Sequence, residues 1–126
     1  MAPLYLTPYL FCPTAVRREV PRWTPGAYVL GHNEGGFVGG YVGRSDGCLC
    51  TRLAGHEMLG QFDYFIFRPA RDADEAYQFE CEIWHVYRQE GIGIRNVIHP
   101  GSPRGAGRRC PYCYFAGHVN RLLKAA

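Results

Sequence analysis

Two short apolar runs, each carrying a tyrosine, flank the turn sequence His32-Asn33-Glu34-Gly35-Gly36. Alternation of apolar residues on either side of this turn predicts a β-hairpin, because the glycines take a positive φ at little steric cost. Tyr28 and Leu30 then share one face of the first strand, and Tyr41 lies on the second, just before Gly43. A helix is expected over 47–59, with Gly60 as its stop. On it Arg52 and His56 stand one turn apart. Leu49 and Leu53 lie on the same side, so Arg52 is expected to point along the protein body. The aromatic run 62–67, bounded by Gly60 and Pro69, predicts a third strand.

The strongest helical pattern covers 72–88. Asp72 is a good N-cap, and Glu75 three residues on completes a capping-box signature. Ala76, Phe79, Ile83 and Tyr87 form the apolar stripe. At about 100° per residue, Glu80 falls inside that arc and Glu82 outside it. An ionised carboxylate on a buried face is costly unless it is paired or binds a metal, so Glu80 requires a partner and Glu82 does not.

The flanks are less regular. Residues 1–25 are rich in proline, with a short strand or arm expected near 5–11 and with Arg17, Arg18 and Arg22 available to a backbone phosphate. After Gly91 the periodicity breaks down into a Gly/Ser/Pro/Arg loop, followed by Cys110-Pro111-Tyr112-Cys113 and a last helical turn expected over 119–124. The organisation is therefore an N-terminal arm (1–25), a core (26–96) and a basic extension (97–126).

Length and composition narrow the choices. A chain of 126 residues, 47% hydrophobic, suits one domain with one core. No apolar run approaches the roughly 20 residues a membrane helix needs. The N-terminus lacks a basic start and is broken by prolines, so it is a poor signal peptide. Six cysteines without an export signal read as thiols or metal ligands in a reducing, cytoplasmic compartment. The net charge of +3 says little, but from Gly91 to Ala126 there are five arginines, one lysine and no acidic residue. A one-signed tail favours a polyanion such as nucleic acid, and Arg44, Arg104, Arg108 and Arg109 are candidate phosphate contacts.

Cys110 and Cys113 form a CxxC knuckle, whose spacing lets two thiolates face one Zn²⁺. His99 is the nearest further ligand and His118 competes for a place. Cys48 and Cys50, on a helix, would point in different directions. A redox role for the CxxC lacks the βαβ context it would need.

The tripeptides Gly26-Ala27-Tyr28 and Tyr41-Val42-Gly43, followed by an arginine on the next helix, resemble the GIY-YIG nuclease superfamily. The resemblance rests on the ordered set Tyr28, Tyr41, Arg52, His56, Glu80 and Asn96. It implies a metal-dependent endonuclease in which Tyr28 is the general base, Tyr41 positions water or metal, Glu80 is the essential carboxylate and Asn96 braces the site. The run from His99-Pro100 to the CxxC resembles members with a C-terminal zinc-binding extension. That likeness adds a histidine equivalent to His85, which the helical wheel places opposite the core, so the tail must fold back over this face to reach it.

The residues suit the chemistry independently. Phosphodiester hydrolysis needs a proton acceptor for water, a counter-charge for the transition state and a clamp on the phosphate. Mg²⁺ or Mn²⁺ on Glu80 would act as Lewis acid. Arg52 offers a planar donor fork. Tyr28 or Tyr41 could accept the proton if a cation lowers a pKa that is ordinarily about 10. His56 could relay a proton or bind phosphate. The expected fold is α+β, a three-stranded, mainly antiparallel sheet flanked by helices with a zinc-pinned tail. The expected partner is DNA, with RNA as the other nucleic acid this chemistry would serve. Two rivals stand beside it: a non-catalytic, zinc-containing nucleic-acid-binding module, and a structural protein whose CxxC only holds a loop.

Overall fold

A computed structural model describes residues 7–96, 98–103 and 109–113. Among these residues the chain runs β1 (Tyr9–Leu10), α1 (Pro13–Glu19), β2 (Gly26–Asn33), β3 (Phe37–Ser45), α2 (Leu49–Ala54), β4 (Tyr64–Pro69) and α3 (Ala73–Gln89). The fold is α+β. Its sheet has four strands rather than the three expected, in the order β1-β4-β2-β3, and every pairing is antiparallel. The added strand is β1, only two residues long and paired to Phe65 and Tyr64 of β4. It falls within the short strand or arm expected near 5–11, but a two-residue strand carries no alternation that could have assigned it to the sheet.

The hairpin forms as its pattern predicts. β2 and β3 pair from Gly26↔Ser45 to Asn33↔Phe37, with a register shift at Leu30/Gly31. Gly35 and Gly36 take φ of +73° and +141° in the turn. β2 lies between β3 and β4 and packs on both faces. Tyr28, Leu30, Phe65 and Phe67 join Val16 and Val20 of the α1 region and Leu49 and Leu53 of α2 on one side. Val29, Val42 and Ile66 meet Trp84 of α3 and Ile94 on the other. Helix α1 starts where Pro13 occupies the first turn, a position that tolerates a missing N–H.

Two helices differ from expectation in ways that matter for the site. The helix expected over 47–59 is a short turn-and-a-half, Leu49–Ala54, because Gly55 ends it. His56 therefore lies beyond the helix. Arg52 is exposed and stands on a different face from the buried Leu49 and Leu53. Helix α3 keeps its expected span and its Asp72 cap, whose carboxylate accepts from Glu75 N–H at 2.8 Å, while Glu75 reaches back to Arg71 N–H at 2.9 Å. Its buried face is Ala76, Tyr77, Glu80, Cys81 and Trp84, roughly a quarter-turn from the predicted stripe. Phe79 lies half-buried under Arg68, 3.6 Å from its guanidinium. The rotation arises because residues near Cys110 fold back over α3 and cover Tyr77 and Cys81. No described helix is long and apolar enough to cross a membrane.

Candidate active site

β3 is an edge strand, and a cleft of about 410 Å³ opens beside its C-terminal half. It is lined by Tyr28 from β2, Tyr41, Gly43 and Arg44 from β3, Asp46 from the following turn, Arg52 from α2, Glu80 from α3, and Gly101 with Ser102. Tyr28 and Tyr41 come from the sheet face that packs on α2, whereas Glu80 comes from the helix on the other face. The edge is where the two sets of groups can meet.

Tyr28 is 1% exposed. Its ring lies over Gly43, its cross-strand partner; a Cβ there would stand 2.5 Å from the Tyr28 Cζ and Oη. Gly43→Ala must therefore displace the phenol or the strand. Overpacking of this kind costs about 1–3 kcal/mol, and chemical denaturation should show a loss of that size. An unchanged midpoint would mean that the ring can yield without strain.

His56 lies behind Tyr28. It is 3% exposed, with Nε2 2.8 Å from Tyr28 Oη. Met58 N–H donates to His56 Nδ1 at 3.0 Å, which assigns the ring proton of the neutral imidazole to Nε2. Burial, and then the nearby Arg52 charge, lower the His56 pKa, so the neutral form is the relevant one. His56 consequently donates to Tyr28 Oη. It does not reach the cleft, so it cannot bind phosphate there, and in this tautomer it stabilises a phenolate rather than accepting its proton. The Arg52 guanidinium lies near the phenol and its positive charge favours the phenolate. Burial nevertheless dominates and pushes the Tyr28 pKa up to about 12, with Arg52 opposing the rise. Tyr41 is raised by burial too, again against the pull of Arg52.

Glu80 is 8% exposed, and burial raises its pKa while Arg44 lowers it. Its Oε1 accepts from Arg44 Nη1 at 2.7 Å. Arg44 is heavily committed. It also donates to Asp46 at 2.6 Å and to the Gly101 carbonyl at 2.5 Å, and its guanidinium stands 5.1 Å from the centre of the Tyr77 ring. The arginine expected to contact nucleic acid is thus the counter-ion of the buried carboxylate. Asp46 was not anticipated; the only hint of it is that it stands two residues from Arg44 on one side of the strand's end. Gly101 and Ser102 could not be placed in the cleft by any local signal.

Asn96 stands apart from the cleft, at the outer edge of β3. Its amide accepts from Val42 N–H at 3.1 Å and donates to the Val42 carbonyl at 2.5 Å, as an additional strand would. Arg109 is exposed. Arg104, Arg108, His118 and the turn expected over 119–124 lie outside the described residues.

A second cluster lies on the other flank of α3. One ligand atom from each of His85, His99, Cys110 and Cys113 falls within 4.8 Å of the others, an arrangement that could hold a metal ion. His85 Nε2 is 3.5 Å from Cys110 Sγ and 3.2 Å from Cys113 Sγ. His99 Nδ1 lies 2.7 Å from the Pro100 carbonyl and must donate to it, which leaves Nε2 as the lone-pair atom. That Nε2 is buried with no hydrogen-bond partner among the described residues, a costly state unless something binds it. The tail does fold back onto the helix face that carries His85.

Comparison with protein families, curated proteins and solved structures found nothing that matches this chain.

Proposed function

We propose that the protein is a metal-dependent endonuclease of the GIY-YIG type, acting on DNA. The observation that carries this reading is the convergence of Tyr28, Tyr41, Arg52 and Glu80 on one polar cleft from four separate elements. A phosphodiester entering it would meet a guanidinium on one side and a buried carboxylate on the other. The donor set suits Mg²⁺ or Mn²⁺: one dry carboxylate in Glu80, a second in Asp46, and room for the waters such an ion retains. The ion would supply Lewis acidity toward a non-bridging phosphate oxygen.

Tyr28 is the base in this reading. His56 Nε2–H donates to its oxygen and the Arg52 charge lies near it, so both favour the phenolate, while the phenol's own proton remains available to the cleft. Arg52 then has two duties, since the same fork can clamp phosphate. Below its pKa a base gains about tenfold in active form per pH unit. Cleavage should therefore rise with a slope near one across the neutral and alkaline range, since Tyr28 begins at about 12. Arg52→Gln removes a positive charge that lowers that pKa and should cost about 10²- to 10³-fold at neutral pH. A flat rate between mildly acidic and mildly alkaline pH would remove Tyr28 from the role of base.

The tail site suits Zn²⁺. Two thiolates and two imidazoles are a common structural set, and bonds of about 2.3 Å to sulfur and 2.0 Å to nitrogen would draw these four atoms only slightly closer. The zinc would pin a segment that has little core of its own.

A non-catalytic binding module remains the second reading, favoured by one observation: Arg44 already neutralises Glu80. Incubating supercoiled plasmid with the full chain and Mg²⁺ or Mn²⁺ separates the two. Nicked or linear product that disappears with Glu80→Gln supports the enzyme, and salt-sensitive binding without product supports the module.

A further inference from the structure

Helix α2 has a second cleft along another of its faces. This one has a volume of about 440 Å³ and is lined by Arg17, Arg22, Trp23 and Cys48 together with Thr51 and Ala54 of the helix. Arg52 faces the first cleft while Thr51 and Ala54 face the second, so α2 is the wall between them. A helix with its side chains is about 10–12 Å across, which corresponds to about three steps of a duplex strand at 3.4 Å each.

Trp23 is 85% exposed. Its backbone φ of +59° lies in the left-handed region, which is unfavourable for a bulky residue and persists only where the surroundings enforce it. They do so here. Pro21 and Pro25 bracket the loop, and the Thr24 carbonyl accepts from Leu49 N–H at 2.8 Å, which ties the loop to the start of α2. The indole is held out from the body on a fixed support, so stacking against it would cost little conformational entropy. Arg17 and Arg22 have no carboxylate partner among the described residues, whereas Arg18 pairs with Glu19 at 2.9 Å. An aromatic face with two uncommitted guanidinium groups has the recognition chemistry of a nucleotide, a base for the ring and phosphates for the arginines. A protein partner would ask for more apolar area than one indole gives.

We infer that this cleft takes an unpaired nucleotide of the strand whose phosphate enters the neighbouring cleft, the base stacked on Trp23 and the flanking phosphates on Arg17 and Arg22. The inference rests on the nucleic-acid reading above and narrows the substrate class to duplexes with a single-stranded or unstacked segment beside the point of attack.

The test uses the full chain, without added Mg²⁺, and two fluorescein-labelled probes: a short blunt duplex and the same duplex with a single-stranded overhang. The overhang duplex should bind more tightly. Trp23→Ala should weaken it by about 5- to 160-fold, the range for losing one base–aromatic stack, and leave the blunt duplex unchanged, while Trp23→Phe retains most of the affinity. Arg17→Ala combined with Arg22→Ala should flatten the salt dependence of overhang binding by about 1.4, at about 0.7 per phosphate contact on a single strand. Equal binding of the overhang by Trp23→Ala and the parent overturns the inference. So does a dimer, seen by light scattering, that Trp23→Ala dissolves without any change in probe affinity. If the parent binds neither probe, this inference and the nuclease reading fall together. If Trp23→Ala loses the overhang while Glu80→Gln still cuts plasmid, the catalytic assignment falls and the nucleotide site stands.

Discussion

Glu80→Gln is expected to reduce plasmid cleavage in Mg²⁺ by about 10³-fold or more while changing folding stability by less than about 1 kcal/mol. The two halves of this result have separate physical origins. Gln keeps the shape of Glu and can still accept from Arg44, and Asp46 remains to balance that arginine. Burial already disfavours the charge on Glu80, so removing it also relieves a desolvation penalty. What the amide cannot do is hold a divalent ion, whose Lewis acidity is worth several kcal/mol in the transition state, and each 1.36 kcal/mol is tenfold in rate. Glu82→Gln is the control. Glu82 pairs with Arg68 at 3.2 Å on the more exposed side of α3, and its loss should leave cleavage within about twofold, because partly exposed pairs contribute little. Asp46→Asn should lie between the two. If Glu80→Gln cuts as fast as the parent, the activity does not belong to this cleft.

Replacing both Cys110 and Cys113 by Ser should have the second largest effect, on metal content first and on the cleft afterwards. The parent should carry about one zinc per chain and the double variant none, as read by elemental analysis. A structural zinc contributes about 10–16 kcal/mol of apparent binding free energy to the segment it holds, so its loss releases the tail. The His99 ring packs 5.0 Å from Trp84, whose Nε1 donates to the Asn96 carbonyl at 3.0 Å. Release should therefore shift the Trp84 emission to the red, and a Trp23→Phe background removes the other indole from the signal. Arg44 would lose the Gly101 carbonyl, and the cleft would lose the wall made by Gly101 and Ser102. Cleavage should fall by about 10- to 100-fold, the usual scale for losing supporting contacts around a site. Zinc-free parent protein with unaltered emission would show that the four ligands are only neighbours.

Legibility in the sequence followed the range of the forces involved. The hairpin and α3 were legible because their signals are local: alternation around a two-glycine turn, and a capped helix with an apolar stripe. Glu80 could be singled out by the cost of burying it, whereas Tyr28, Tyr41 and Arg52 stood out only together, as an ordered set. The pairing of Glu80 with Arg44, 36 residues apart, was not legible, since no periodicity links a strand end to the middle of a distant helix. His56 was misplaced for a related reason. Its spacing from Arg52 suggests one continuous helix, but Gly55 breaks the run, and the side chain turns inward to Tyr28 instead of outward to the cleft. The short strand near 5–11 was expected, though not its place in the sheet, while the helix after Pro13 was hidden in a segment where proline reads as irregularity. The face of α3 was set by residues near Cys110 that fold over it from a distance.

The treatment of the sheet's two margins has a consequence for how copies of the molecule behave together. On one margin Asn96 occupies Val42 while Arg95 N–H bonds to the Gly40 carbonyl at 2.7 Å. On the other, β1 is two residues long. Filled edge positions and very short edge strands both blunt edge-to-edge pairing, so the asparagine and the stub shorten the template on which a second copy of an aromatic-rich sheet could add.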